Sequence, residues 1–170
     1  TRAPTTRAPT TGEEYIECQI PAGVGFGHNI CGDATHIRIP DGTTVIGRGF
    51  FHANYYVKSV IIPSSVNKIE PYAFAYCSNL ESVEIPDSVT SIDTDAFIFC
   101  ASLRLVTFSG ISKVESIGAW TFHSCASLTS ITIPDSVTSI GDYAFHSCIN
   151  LTSITLPTNN NFTSIGNETF

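Results

Sequence analysis

Apolar and polar residues alternate along this chain in short bursts, and the bursts recur at a fixed interval. Over 128–134 the order is Leu-Thr-Ser-Ile-Thr-Ile-Pro, which puts Ile131 and Ile133 on one side of an extended segment and Thr132 on the other. This predicts a short strand, led in by Leu128 and ended by Pro134, which has no N–H to continue a ladder. The next stretch, 139–148, reads Ser-Ile-Gly-Asp-Tyr-Ala-Phe-His-Ser-Cys. Its apolar positions Ile140, Ala144, Phe145 and Cys148 fit one or two helical turns with one buried side.

The same sentence of residues is written about six times. Aligned on an Ile followed five residues later by Phe, the pairs are Ile46/Phe51, Ile69/Phe74, Ile92/Phe97, Ile117/Phe122, Ile140/Phe145 and Ile165/Phe170. Successive phenylalanines are 23, 23, 25, 23 and 25 residues apart. Three positions after Phe stand Cys77, Cys100, Cys125 and Cys148, with Asn54 in the first unit; three further on come Leu80, Leu103, Leu128 and Leu151, with Val57 in the first. A proline closes the strand at Pro40, Pro63, Pro86, Pro134 and Pro157, and Ser109 takes that slot in the fourth unit. Both longer gaps come from two extra residues just after the slot, around Gly110-Ile111 and Asn159-Asn160, which marks a loop on one edge. One unit cannot cover its own apolar face, but stacked coils can. Strands then pair in parallel, and each Phe rests on the Phe above and below. Each such Phe or Ile contributes roughly 1.5–3 kcal/mol on burial.

Units such as LTSITIPDSVTSIGDYAFHSC, residues 128–148, repeated through the last four-fifths of the chain, resemble the BspA-like leucine-rich repeats. The resemblance implies a curved repeat solenoid with short parallel β-strands on the concave face and short helical or 3-10 turns and loops on the other. It also implies a surface protein of the kind used for adhesion, for matrix or host binding, or in cell coats. It transfers no catalytic residue and names no ligand.

Residues 34–170 are therefore read as the solenoid, the last unit incomplete, and 12–33 as an N-terminal cap. The cap holds Gly23, Gly25 and Gly27, and two cysteines outside the ladder, Cys18 and Cys31, with twelve residues between them. A small cap has little core of its own, so these two are expected to form a disulfide in an oxidising compartment. Residues 1–11 read TRAPT-TRAPT-T. A Thr/Pro tract cannot bury a core, and Pro4 and Pro9 bias it to extended conformation. It is either a flexible linker or an extended arm, O-glycosylated on Thr1, Thr5, Thr6, Thr10 or Thr11 or packed on a neighbour.

Charge narrows the partners. The net charge is −7, but 1–11 carry Arg2 and Arg7 and no acid, which leaves 6 bases against 15 acids, or −9, for the rest. An acidic body argues against nucleic acid. No run of 18 apolar residues is present, so no membrane-spanning helix is expected. The chain begins at Thr1 without a signal peptide or any methionine, as a processed or partial chain would. Asn150, Asn161 and Asn167 each open an Asn-x-Thr acceptor for N-glycosylation, and with the arm they favour secretion to the extracellular space or cell surface.

The chemistry-bearing residues read as structure. A cysteine required once per coil serves packing, so the four ladder sulfurs are expected to be buried thiols. Stacked coils would hold neighbouring cysteines at a distance a disulfide accepts, so cross-links between coils stay open. His123-Ser124-Cys125 and His146-Ser147-Cys148 are one repeat position seen twice, with Cys inward and His outward, so nucleophile and base would not face each other. The two histidines, with His52 in the matching slot, lack a third ligand for a metal. The spaced glycines of the cap do not match a dinucleotide fingerprint. No catalytic motif is found, and a non-enzyme without cofactors is expected.

Recognition then falls to exposed strand positions. These are bland in the later coils (Thr129, Ser130, Thr132, Thr152, Ser153, Thr155) and varied earlier: His36 and Arg38, Lys58 and Ile61, Glu81 and Glu84, Arg104 and Leu105. The last unit, ending at Phe170, leaves an apolar layer and a strand edge for another group to cap. If the capping group is the next subunit's N-terminal region, contacts run head-to-tail, and Arg2, Arg7 and Phe170 become assembly residues. Two functions follow: a structural subunit of a glycosylated filament or coat, or an adhesion module that binds glycans or matrix proteins.

Overall fold

The computed structural model describes residues 14–18 and 31–170. The arm, with its threonines and both arginines, and the glycine-rich part of the cap lie outside the described residues. In chain order the strands are β1 (Ile16–Glu17), β2 (His36–Arg38), β3 (Val45–Ile46), β4 (Ser59–Ile61), β5 (Lys68–Ile69), β6 (Ser82–Ile85) and β7 (Ser91–Ile92). They continue as β8 (Leu105–Phe108), β9 (Ser116–Ile117), β10 (Ser130–Thr132), β11 (Ser139–Ile140), β12 (Ser153–Thr155) and β13 (Ser164–Ile165).

Each repeat makes one coil with two strands, and every pairing is parallel and joins a coil to the next. The Leu-x-x-Ile-x-Ile strands form a first layer, β1-β2-β4-β6-β8 followed by β10-β12. The two-residue Ser-Ile strands form a second, unbroken sheet from β3 to β13. The expected alternation holds: Ile131 and Ile133 are buried and Thr132 is exposed.

The expected helical turns do not form; the described residues contain no helix. The 139–148 segment and its equivalents instead send alternate amides in two directions. In the second coil, Ala73, Ala75 and Cys77 donate locally to the carbonyls of Glu70, Tyr72 and Phe74, three residues back. Tyr72, Phe74 and Tyr76 donate to Thr94, Ala96 and Ile98 of the next coil. A helix would use every amide within the segment, whereas this arrangement gives half of them to the neighbouring coil as a third ladder. It requires left-handed backbone two residues either side of each Phe. Gly49, Tyr72, Asp95, Trp120, Tyr143 and Glu168 occupy the first position, and Ala53, Tyr76, Phe99, Ser124 and Ser147 the second, all at φ between 47° and 62°.

Inside, the phenylalanines stack in one column. Phe51, Phe74, Phe97, Phe122 and Phe145 are buried, their ring centroids 5.0–5.4 Å apart with planes within 10° of parallel. Phe170 departs from the expected burial: it is 57% exposed, because its ring lies 6.0 Å from Phe145 on one side and no described coil covers the other. Beside the column run Cys77, Cys100, Cys125 and Cys148, all buried free thiols. Each donates to the carbonyl of the Phe one coil earlier: Phe51, Phe74, Phe97 and Phe122 at 3.0–3.4 Å. The cross-links left open by spacing are absent among these four. Cys18 and Cys31 are disulfide-bonded, their Cα atoms 5.3 Å apart, and tie the β1 edge to the first coil.

Candidate interaction face

The outward positions of the first layer form a surface where side chains change from coil to coil on a fixed backbone. Toward the N-terminal end they are engaged with each other. Tyr15 packs edge-on to His36 with centroids 5.5 Å apart, and Ser59 donates to the Tyr15 hydroxyl at 3.1 Å. Arg104 reaches back to Glu81 at 2.6 Å across the coil boundary. In the last two coils the face is Thr129, Ser130, Thr132, Thr152, Ser153 and Thr155, all exposed.

Between these halves the layer is split. Backbone pairing joins β6 to β8 and β10 to β12, but none joins β8 to β10. The loss is visible in one recurring bond. Lys58 donates to Thr35, Glu81 to Lys58, Arg104 to Glu81 and Thr152 to Thr129, all through backbone atoms at 2.7–3.0 Å. The equivalent bond from Thr129 to Arg104 does not form.

The cause lies in the fourth coil. β8 ends at Phe108, level with Ile85 of β6, and with Ser109 in the proline slot the next amide is kept and donates to Ile85 of the third coil. Gly110, at φ 56°, then turns the inserted loop over Asp87, toward the third coil and away from the fifth. In coils two, three and five the following turn is closed by Val66, Val89 and Val137 donating to the proline carbonyl; in coil four Val114 donates to the Ser112 hydroxyl instead. This rebuilding orphans a hydroxyl. Ser65 and Ser88 donate to the carbonyls of Thr43 and Val66 in the preceding coil, but their counterpart Ser136 is buried at Oγ with no partner. A buried hydroxyl left unpaired costs on the order of 1–3 kcal/mol.

The result is a groove of about 570 Å³. Leu105, Phe108, Ile111 and Pro134 give it apolar walls, Thr107 and Thr132 line it as well, and Ser136 borders it with its hydroxyl buried beneath the surface. Leu105 is 50% and Ile111 89% exposed, whereas the other coils place His36, Ser59, Ser82, Ser130 and Ser153 at the Leu105 position. The sequence marked Leu105 as a variable surface residue and Ile111 only as part of an insertion. That the two share a groove follows from the lost pairing.

The other candidate chemistry is scattered. His123 and His146 stack with centroids 5.3 Å apart, and burial, then the neighbouring His146, hold the His123 imidazole below its ordinary pKa. The buried Asp95 carboxyl is pushed up by burial and opposed by a hydrogen bond from Tyr72. Among the described residues no three His, Cys, Asp or Glu side chains converge to hold a metal. His52 packs edge-on to Tyr76, far along the row from the histidine pair. The ladder thiols are inert. Burial pushes Cys77 up to about 12 and Cys148 to about 11, and holds Cys100 and Cys125 well above the usual thiol range.

The three acceptor asparagines are all exposed but differ in setting. Asn150 donates its side-chain amide to the Ala126 carbonyl, and the hydroxyl that completes the Asn167 triplet, on Thr169, is buried and bonded to Gly166. Asn161 lies in the second insertion loop, its amide N–H held by Asn159.

No curated protein matches the chain. Among solved structures, a leucine-rich repeat protein from Bacteroides ovatus is similar, with a TM-score of 0.73 and 32% identity over 89% of this chain and 39% of that one. The leucine-rich repeat protein of T. pallidum is similar with a TM-score of 0.65 and 27% identity, over 79% of this chain and 74% of that one. The chain thus spans about 39% of the length of the Bacteroides protein it matches. The model of the BspA type leucine rich repeat region matches in six copies over residues 26–114 and 106–170, and the chain belongs to this family.

Proposed function

We propose that this chain is a non-catalytic binding module of a secreted or cell-surface protein, which takes its partner on the outer face of the first layer, centred on the split. The observation that carries the reading is the groove itself. A regular scaffold whose other coils carry polar side chains at the Leu105 position here lines one groove with two exposed apolar residues, Leu105 and Ile111. An exposed apolar patch bordered by the accessible polar residues Thr107 and Thr132 is the composition of a binding site. The Cys18–Cys31 disulfide supports an oxidising, extracellular setting. Glycans and matrix proteins are the partners this reading favours.

The test is binding of the labelled protein to immobilised glycans and matrix proteins, compared with a Leu105→Ser/Ile111→Ser variant of unchanged circular dichroism. Loss of at least about tenfold in affinity is expected where two exposed apolar anchors are removed. Equal binding by both proteins would move the site elsewhere.

A second reading, the subunit of a head-to-tail glycosylated filament or coat, has one observation in its favour. Successive coils join through the same in-register parallel pairs and the same ring stacking, so a coil from a second subunit laid against Ile165 and Phe170 would continue both the second sheet and the phenylalanine column. Negative-stain microscopy with intact mass separates the two. Regular fibres of subunits heavier than 18.3 kDa support the filament, and dispersed particles of the bare mass remove it.

A further inference from the structure

Three ladders of hydrogen bonds run the length of this solenoid, and at one boundary they disagree. Between the fourth and fifth coils the second sheet is intact: Ser116 pairs with Ser139 and Ile117 with Ile140, and Gly141 donates to Ile117 at 2.8 Å. The turn ladder is also intact, with Trp120, Phe122 and Ser124 donating to Asp142, Ala144 and His146 at 2.8–3.0 Å. Around it Trp120 stacks on Tyr143 at 4.3 Å and Phe122 on Phe145 at 5.4 Å. Only the first layer is undone, over the whole stretch from Arg104 to Phe108. The other boundaries of that layer, from β1 to β8 and from β10 to β12, are paired.

We infer that the boundary between the fourth and fifth coils is a built-in flexure, at which the C-terminal coils rock against the N-terminal ones about the intact second sheet and turn ladder, so that the β8–β10 groove widens and narrows. Interstrand hydrogen bonds fix the separation of neighbouring strands at about 4.8 Å. Where two ladders hold and the third is missing, the permitted motion is rotation about the bonded side. The bonded side is also closely packed at this boundary, since at Gly141 the fifth coil meets the backbone of Gly118 and Ala119 with no side-chain atom between them. The free side carries Leu105, Thr107, Thr132 and Pro134, which line the groove with no backbone bond between their strands. The nearest bond across the boundary, from Ser127 to Ala101 at 3.1 Å, lies ahead of them. Leu128 and Ile131 stay buried beneath and limit the amplitude. The inserted Gly110-Ile111 loop is the cause, because it draws the fourth coil's turn toward the third coil and leaves the fifth without its acceptors.

The test compares two doubly spin-labelled proteins by pulsed electron paramagnetic resonance. Lys58→Cys/Thr129→Cys spans three coil boundaries including the split, and Thr35→Cys/Arg104→Cys spans three boundaries without it. All four sites are exposed, and the native cysteines are either disulfide-bonded or buried. The expected result is a distance distribution about twice as broad, or a second, longer population, for the first pair alone, as rocking between coil groups would give. Equal widths overturn the flexure. A repaired chain with Gly110 and Ile111 deleted and Ser109→Pro is expected to narrow the first pair to the width of the second. A folded repaired chain that stays broad overturns the cause assigned to the loop. If that chain does not fold, the wild-type comparison decides.

Discussion

A β-carbon placed on Gly141 would stand 2.4 Å from the backbone nitrogen of Ala119, one coil earlier. Gly118 and Gly166 meet the preceding backbone as closely, at 2.5 and 2.3 Å, whereas the first coil's Gly47 has open space at the same repeat position. Gly141→Ala is therefore expected to destabilise by about 1–3 kcal/mol, as overpacking against an immovable neighbour does. Gly47→Ala should leave stability within about half a kcal/mol. Thermal melts of the two variants check this, and a similar midpoint for both would mean that the coils are not in this close contact.

The thiol column predicts sensitivity to alkali. Four buried thiols have pKa values raised above the ordinary thiol value of 9.0. The folded state therefore holds its thiol protons where the unfolded chain has released them. Stability is full below about pH 9 and falls as pH rises toward about 12, by up to about 1.4 kcal/mol per unit for each thiol. Tyr72 and Tyr143, raised chiefly by hydrogen bonds to Asp95 and Glu168, act in the same direction. Melts from pH 7 to 11 should show a steep decline above 9, and a flat profile would exclude neutral buried thiols.

The same column fixes an order of labelling. Iodoacetamide at pH 8 should leave all four ladder cysteines unmodified in the folded protein and modify all four in denaturant. Cys148, 8% exposed and with the lower of the two values given above, should react first on partial unfolding. Mass spectrometry of timed samples reads the order directly.

Ser147 is exposed and sits at φ 60° beside the half-buried His146. A β-branched residue tolerates this backbone poorly. Ser147→Val is expected to cost about 1–2 kcal/mol more than Ser147→Gly, in line with the strain of left-handed backbone for L-residues. Equal stability of the two would show that the turn relaxes.

Reduction of Cys18–Cys31 removes a cross-link across 13 residues, worth about 3 kcal/mol by loop closure. In a stack held by nearest-neighbour contacts the loss stays local. Limited proteolysis after reduction should cut before Ala34 and leave the coils beyond it whole. Digestion throughout the chain would indicate one cooperative unit instead.

What the sequence made legible is what every coil must repeat. The Phe and Cys columns, the proline-ended strands and the insertion points were readable because each coil answers to the same neighbour. The turns were not. Ile140, Ala144, Phe145 and Cys148 mimic helical spacing, yet the path between them needs left-handed backbone at Tyr143 and Ser147, a choice that opposes local preference and is repaid only by bonds to the next coil. The two-residue Ser-Ile strands are too short to show a period of their own. For the candidate site, the sequence flagged Ser109, the two-residue insertion and Leu105. It could not show that they undo one pairing and strand the Ser136 hydroxyl, because that depends on which carbonyl lies across a coil boundary.

The inter-coil bonds join each residue to one about a unit away, so the coil is the natural quantum of inheritance for this architecture. An in-frame tandem duplication of a single unit lays down a coil that finds its donors and acceptors already in place above and below. Slippage by any other length can be absorbed only at the loop after the proline slot, where the two existing insertions sit. Length can drift freely in whole turns, and novelty enters where a turn is miscounted.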